Sequence, residues 1–415
     1  MARTSNSDFA VFSTAAGEAS GCTYYRVQVP LRGLFKLGLA NSFIDNGRLD
    51  PEKVATAMLS SDVYLMFATG GIHANARIEM IRNMNAGHSD DGGQILYPPS
   101  VVFDLDDNLD WVHPFNSTFV HLGTRAYDGT ILTPGDSLTT TLADGTEVVI
   151  WQDGKPGPEG TLFQVEENHK RVAGVHNTAR RADGVTVPSP YLAKYYKEVH
   201  KCTSVHVFPN SIFPEDYPKV ALRPHNGIRI LWQGGGSHMI DWFPLREAVK
   251  TICLKYPQVK FIVWGTAYKW IHDNIPEDQL ELHDWVPYDA YKPMRILMDA
   301  DINLCPLVDN EFNRSKSAIK WYEGLLGEHP EPVLAGNCGP YAEEIIDGKT
   351  GLLYSTPEEF VEKLSVLIEN EAKRKELGEN AYKWVMENRH YEKTIPGLFE
   401  FYGELRARKK LALEA

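Results

Sequence analysis

A chain of 415 residues with 43% hydrophobic and 23% charged side chains can bury more than one core, which excludes a disordered or single-core protein. Its formal net charge of -13 argues against a surface that broadly coats nucleic acid or an anionic membrane, while leaving room for a local basic channel. The five cysteines, Cys22, Cys202, Cys253, Cys305 and Cys338, are odd in number and form no CxxC pair, so neither a disulfide framework nor a zinc site is indicated and a reducing, cytoplasmic setting is expected.

The opening segment MARTSNSDFAVFSTAAG has one basic residue and no long apolar core, so no signal peptide is expected. No apolar run reaches the roughly 18 residues of a membrane span, so no integral membrane contact is expected either. Short buried-strand patterns then alternate with helical ones: DFAVFSTA, DVYLMFAT, PSVVFDLDD, DGVTVPS and SVHVFPNSI in the first half. IRILWQGG, VKFIVWG, ELHDWV, ADINLCPL and EPVLAG repeat the theme in the second. Such alternation predicts an α/β protein with parallel sheets and crossover helices.

Between the two series, FPEDYPKVALRPHNG has the proline-rich, mixed-charge chemistry of a linker. The expected division is a first domain over 1–218, a second over 219–385, and a terminal helix over 386–415. DSLTTTLADGTEVVIWQDGKPGPEG, residues 136–160, reads as an inserted β-hairpin turning at Asp144 and Gly145. A surface ornament and a flap over a second substrate are both open for it. The terminal RARKK reads as a solvated helix end.

Two loops carry the candidate chemistry. LWQGGGSHMIDW follows a strand and opens a helix, so Gly234, Gly235 and Gly236 let backbone amides approach a ligand, with Ser237 and His238 beside a helix start where phosphate would be met. FNRSKSAIKWYEGLL predicts a helix beginning near Asn313 or Ser315. On that helix Lys316, Lys320 and Glu323 share one face, Ile319, Tyr322 and Leu326 the other. Arg314 and Lys316 at its start are expected to seat a diphosphate and Glu323 to accept from a ribose diol.

These segments, with PVLAG, GPY, DGKTGLLY, WQGGGSH and RADGVTVPSPYLAKYY, resemble the retaining GT-B glycosyltransferases of the family 4 type. GCTYYRVQVPLRGL and VVFDLDDNL look like those of glycosyltransferases carried by tailed phages. The resemblance implies two Rossmann-like domains around a cleft, with C-terminal helices crossing back. It implies transfer of a sugar from a nucleoside diphosphate sugar, UDP- or GDP-linked, as co-substrate to a hydroxyl acceptor, with no tightly bound cofactor. It also implies that Arg314, Lys316 and Lys320 neutralise the diphosphate, that Glu323 binds the ribose, and that Gly339, Pro340 and Tyr341 face the donor sugar. Where the family has its first glutamate this chain has Ser315, and Gln233 with Ser237 and His238 replace the usual arginine and lysine.

On the acceptor side Tyr25 and Arg26 are candidates for stacking or hydrogen bonding, with packing as the alternative. Asp106 and Asp107, with His113 nearby, are expected to handle the acceptor. A divalent metal on the DxD pattern of Asp104 and Asp106 belongs to the other glycosyltransferase fold, so no metal requirement is expected. His73 and His176 are further acceptor candidates, each open to a structural role instead. The acceptor is a hydroxymethylated base in DNA, a glycan or a protein, and the only basic clusters near a DNA path are RVQVPLRGLFK and HKRVAGVHNTARR. A nucleotide-sugar epimerase and a non-catalytic nucleotide-sugar-binding protein are the rival classes. Oligomeric state is left open.

Overall fold

The computed structural model describes residues 8–14, 20–45, 47, 49–67, 72–84, 87–88, 95–141, 146–157, 160–220 and 225–414, with backbone alone at 72–73, 87–88 and 95–96. The expected turn at Asp144 and Gly145 and the side chain of His73 lie outside the described residues.

The first half contributes β1 (Ala10–Thr14), β2 (Asn41–Asp45), β3 (Val63–Phe67), β4 (Gly87–His88), β5 (Ile95–Leu96), β6 (Ser100–Asp104), β7 (Ser137–Thr141), β8 (Glu147–Gln152), β9 (Gly184–Val187) and β10 (Val205–Val207). Six of them form a parallel sheet in the order β10-β9-β6-β3-β1-β2. The central strands are covered on both faces, which is why Ser100–Asp104 is buried throughout and reads as an unbroken apolar run instead of an alternating one. β4 pairs with β5, and β7 with β8 as the inserted antiparallel hairpin.

The second half contributes β11 (Ile228–Gly234), β12 (Val259–Gly265), β13 (Leu280–His283), β14 (Ile302–Cys305), β15 (Val333–Gly336) and β16 (Leu352–Tyr354). They form a second parallel sheet in the order β13-β12-β11-β14-β15-β16. The order reverses between β11 and β14, and ligands of such sheets sit outside the carboxyl ends of the strands at that point. There Gly234 pairs with Gly265, whose φ of 108° suits glycine and whose Cβ would stand 2.4 Å from the Gly234 carbonyl oxygen.

The first sheet is anchored by a buried ion pair. Arg26 donates from Nε to Asp104 Oδ1 at 2.8 Å and from an amino group to Oδ2 at 2.7 Å. It donates also to the Phe208 carbonyl at 2.6 Å and Asn210 Oδ1 at 2.9 Å, while Thr186 donates to Asp104 at 2.5 Å. Arg26 is 1% exposed. Its donors are thus committed to the strand ends of its own domain, as the packing alternative has it, although Arg26 also borders the cleft between the domains.

The final helix, Tyr391–Glu414, shares a core with Val11, Leu31, Val63 and Val102 of the first domain. It comes so near β9 that a Cβ on Gly184 would lie 2.5 Å from Leu405 Cδ1. The RARKK segment is not simply a solvated end: Arg406 is buried, with Nε 2.9 Å from Asp62, and Lys409 stands 2.8 Å from Asp183. Nor is the stretch after Phe213 only a spacer. Phe213 stacks on Tyr391 with centroids 3.9 Å apart, and Tyr217 is buried. The two chain crossings bond to each other, Ile212 N to Arg389 O at 2.9 Å and Tyr391 N to Ile212 O at 3.1 Å.

Removing Arg26 would strand a buried carboxylate, so Arg26→Ala should cost about 3–5 kcal/mol. A thermal unfolding midpoint equal to wild type would refute that weight for the pair.

Candidate active site

Both domains wall a cleft of about 400 Å³ at the carboxyl ends of β11 and β14, within the size range of small-molecule sites. The helix expected to start near Asn313 is in fact two. Glu311–Arg314 is capped by Asn310 Oδ1, which accepts from Asn313 N at 2.8 Å, and a second helix runs Ile319–Gly324. The break between them docks on the first domain. Asn108 N donates to Ser315 Oγ at 3.3 Å, Ser189 Oγ to Ser315 O at 2.9 Å, and Asn210 Nδ2 to Ser317 Oγ at 2.8 Å. Ser315 and Ser317 thereby tie the break to the first domain.

That break sends the cations apart. Lys316 lines the cleft with Nζ 3.6 Å from Asp107 of the opposite domain, and Lys320 lines it from the second helix. Arg314 does not. Its guanidinium grips Asp309 at 2.6 and 2.8 Å and Glu311 at 3.0 Å, beside a smaller cavity that His113 also lines. The expected place of Arg314 at the donor diphosphate is therefore corrected: it is the last residue of its helix, not at a helix start, and its charge is already paired.

Lys320 Nζ donates to His238 Nε2 at 2.9 Å, and His238 Nδ1 faces Asp241 Oδ2 at 2.8 Å. Burial, aided by the Lys320 charge, pulls the His238 imidazole down to about 4, so it is neutral and accepts from the ammonium. Burial likewise brings Lys320 down to about 8. Asp241, 1% exposed, also takes Val308 N at 3.0 Å and Asn313 Nδ2 at 2.6 Å. Asp241 closes the WQGGGSH..D stretch, and its position three residues after His238 puts both on one helical face.

Glu323 forms the deep wall. Oε1 accepts from Tyr25 at 2.6 Å, Tyr217 at 3.2 Å and Tyr288 at 3.4 Å; Oε2 accepts from Tyr291 at 2.6 Å and Gln233 at 3.4 Å. Tyr25 sits in a π-helical turn, Tyr24–Gln28, a distortion often found at functional positions. Tyr288 and Tyr291 stack on one another at 5.4 Å, and Tyr291 stacks on Trp264 at 4.9 Å, a rack that the i, i+3 spacing of the two tyrosines could have announced.

On the facing wall burial, reinforced by the Asp107 charge, pushes the Asp106 carboxyl up to about 6. Of the other expected residues, Gly234, Gly235 and Tyr341 line the cleft with Asp106 and Asp107. Ser237, Gly339 and Pro340 do not; a Cβ on Gly339 would lie 2.9 Å from Arg314 Cα, so this turn packs behind the wall. Gly236 lines an adjoining apolar cleft with Met239 and with Val149, Ile150 and Trp151 of the hairpin. His113 is turned inward, Nδ1 accepting from Phe115 N at 3.2 Å and its ring packed on Tyr127. His176 lies off the cleft, against Asp110 and His200. Neither histidine therefore lines the main cleft, and His113 lines only the smaller cavity beside Arg314.

The family described as Glycosyl transferases group 1 matches residues 329–384. An uncharacterized glycosyltransferase of Methanocaldococcus jannaschii is 40% identical over 77 residues, 18% of this chain and 22% of that protein. The chain thus aligns with about a fifth of the length of the curated relative it matches. Among solved structures, sucrose-phosphate synthase of Thermosynechococcus elongatus superposes with a TM-score of 0.59 at 11% identity, covering 96% of this chain and 100% of that one. HepE of Anabaena, in complex with UDP-glucose, gives 0.57 at 13% identity over 95% and 99% of the two chains. A glycosyltransferase of Rickettsia africae gives 0.58 at 11%, covering 96% and 98%. At such identities the likeness establishes the fold, which is GT-B: two Rossmann-like domains facing a cleft.

Tyr25→Phe and Glu323→Gln, alone and combined, form a double-mutant cycle in urea unfolding that should return a coupling of about 1.5–3 kcal/mol, as for a hydrogen bond to a charged group. A coupling near zero would mean that the Tyr25 contact does not hold the domains together.

Proposed function

We propose that the chain is a glycosyltransferase moving a sugar from a nucleoside diphosphate sugar to a hydroxyl acceptor, with retention. The observation that carries this reading is the pairing, in one interdomain cleft at the sheet's switch point, of two lysine ammonium groups with a carboxylate two turns deep. Lys316, Lys320 and Glu323 all line it. The match over residues 329–384 supports the same reading.

In this reaction the anomeric carbon–oxygen bond to the β-phosphate breaks and a new one to the acceptor oxygen forms. The acceptor proton passes to the departing phosphate, so no strong enzymic base is needed. Lys316 and Lys320 stabilise the charge growing on that phosphate. Asp241 and neutral His238 hold Lys320 in place, and Glu323 takes the ribose diol in exchange for its longer tyrosine and glutamine contacts. Asp106 and Asp107 orient the acceptor hydroxyl from the opposite wall, and the hairpin flanks its path.

A glycan suits the acceptor side better than duplex DNA. Five of the seven cations in the two basic clusters face carboxylates: Arg26 is buried on Asp104, Arg32 pairs with Asp216 at 2.6 Å, Lys36 with Glu215, Lys170 with Glu167 at 2.9 Å, and Arg181 with Glu79. Charges already answered by carboxylates release few phosphate counterions.

Offering labelled UDP- and GDP-sugars with glycans and hydroxymethylated DNA, followed by mass spectrometry, tests the class. Transfer or slow donor hydrolysis is expected. Epimer formation, or binding without turnover, would replace the reading by its rivals. Lys316→Ala and Lys320→Ala should each lower turnover more than about tenfold, while Arg314→Ala stays near wild type; the reverse pattern would overturn the assignment of cations. With Asp106 ionised only above its pKa of about 6, the rate should fall as pH drops through that value. In Asp106→Asn that acid limb should vanish, and its persistence would count against Asp106.

A further inference from the structure

Beside the main cleft runs a groove of about 420 Å³ to which the proposed transfer assigns no role. Its walls are Val149, Ile150 and Trp151 of the hairpin, Val120 of the first domain, and Gly236 and Met239 of the second. One loop separates the two spaces: Gly235 and His238 line the main cleft, while Gly236 and Met239, each next in sequence, line the groove. Residues 114–117, on the connection that follows Asp106 and Asp107, line it from the other side.

We propose that this groove receives the alkyl aglycone of the acceptor, so that the acceptor is a sugar hydroxyl carried on an aliphatic chain; the proposal rests on the sugar-transfer reading and names its acceptor class. The contrast in lining chemistry carries it. Lys316, Lys320, Glu323, Asp106 and Asp107 give the main cleft its charge, whereas among the described residues no charged side chain lines the groove. Two polar atoms that could have met a sugar are engaged elsewhere: Trp151 Nε1 donates to the Pro114 carbonyl at 2.7 Å, and Asn116 Oδ1 accepts from Thr118 N and Oγ1, each at 3.0 Å. Ser117 and Thr161, which also line the groove, are exposed. The hydroxyls of a further sugar ring would lose hydration on entering and find few partners there. Methylene groups gain by leaving water.

The rings nearby are ill placed for stacking a sugar or an aryl group. Trp151 is 6% exposed, with Phe119 and Phe163 packed on it at centroid distances of 5.4 and 5.3 Å. Phe115 is turned to His113 and Tyr127, each at 5.9 Å. What the groove presents is aliphatic surface from both domains: Val149 is 57% exposed where it lines the hollow, and Met239, an unbranched and adaptable side chain, lines it from the second domain. A Cβ on Gly236 would lie 3.1 Å from Ser117 Oγ, so the two domains come close at this point and together complete the groove. A chain leaving a sugar held at Asp106 and Asp107 has this apolar surface directly across the loop.

The test measures binding of hexyl, octyl and decyl β-glucosides to the full chain by calorimetry, below their micelle concentrations and without a sugar nucleotide. Saturation at one glucoside per chain is expected, with each added methylene tightening binding about two- to fourfold. Val149→Asp, at an exposed position, should lower the decyl-to-hexyl affinity ratio about tenfold, and Met239→Asn should lower it in the same direction. Val199→Asp, at a position 54% exposed that lines neither space, should leave the ratio unchanged. No saturable binding of the decyl glucoside, affinity independent of chain length, a ratio unmoved by Val149→Asp and Met239→Asn, or one that falls as far in Val199→Asp would each overturn the proposal. Phenyl glucoside binding more tightly than octyl glucoside would overturn the alkyl assignment. Because no donor is present, the two readings fail separately: chain-length dependence in a protein without turnover sinks the transferase alone, and turnover on glycans without that dependence sinks the aglycone site alone.

Discussion

The Glu323 carboxylate is the point on which the relation of the two domains depends. It is 4% exposed, and a carboxylate taken that far from water must recover its hydration as hydrogen bonds or forfeit several kcal/mol. Its donors come from separated parts of the chain: Tyr25 from the first domain, Tyr217 from the linker, Gln233 from β11, Tyr288 and Tyr291 from one helix of the second. Each segment is held where its hydroxyl or amide can reach. The cleft acquires its depth from this convergence, since the tyrosine rings that bring the hydroxyls also form its aromatic side.

Positive charge in an acidic chain follows the same economy of partners. Arg26, Arg295 and Arg406 are buried on Asp104, Glu331 and Asp62. Lys316 and Lys320 are treated differently. Lys316 faces Asp107 only at 3.6 Å across the cleft, and Lys320 meets a neutral imidazole whose own carboxylate stands one ring further away. Two ammonium groups with loosely paired charge on one wall create a field that favours an anion, and burial depresses the pKa of Lys320.

The fold alone does not choose a reaction. What distinguishes this chain within a GT-B frame is local: a serine, Ser315, spent on the domain interface where the resembling pattern carries a carboxylate, and a hairpin whose Trp151 donates to the Pro114 carbonyl at 2.7 Å. The hairpin shares a core with Phe312 of the other domain, so it is part of the interdomain packing and not an isolated ornament.

Ten of the strands were legible as apolar runs, the central ones because strands covered on both faces are apolar along most of their length. The short β2 and β16 were not, being polar or embedded in turn-rich sequence. Lys316, Lys320 and Glu323 were legible as a cluster, since spacing along a helix survives into three dimensions. The roles of Arg314, Arg26, His113 and His176 were not, because each depends on partners 2 to 78 positions away that spacing along a helix does not reveal: Asp309, Asp104, Phe115's backbone beside Tyr127, and Asp110. By itself, then, the sequence determined the two parallel sheets and the loops that would meet a ligand, through periodicity and turn chemistry. Only the tertiary structure decided which charges stay free to act, because a side chain's charge is available or spent according to the groups that long-range packing sets beside it.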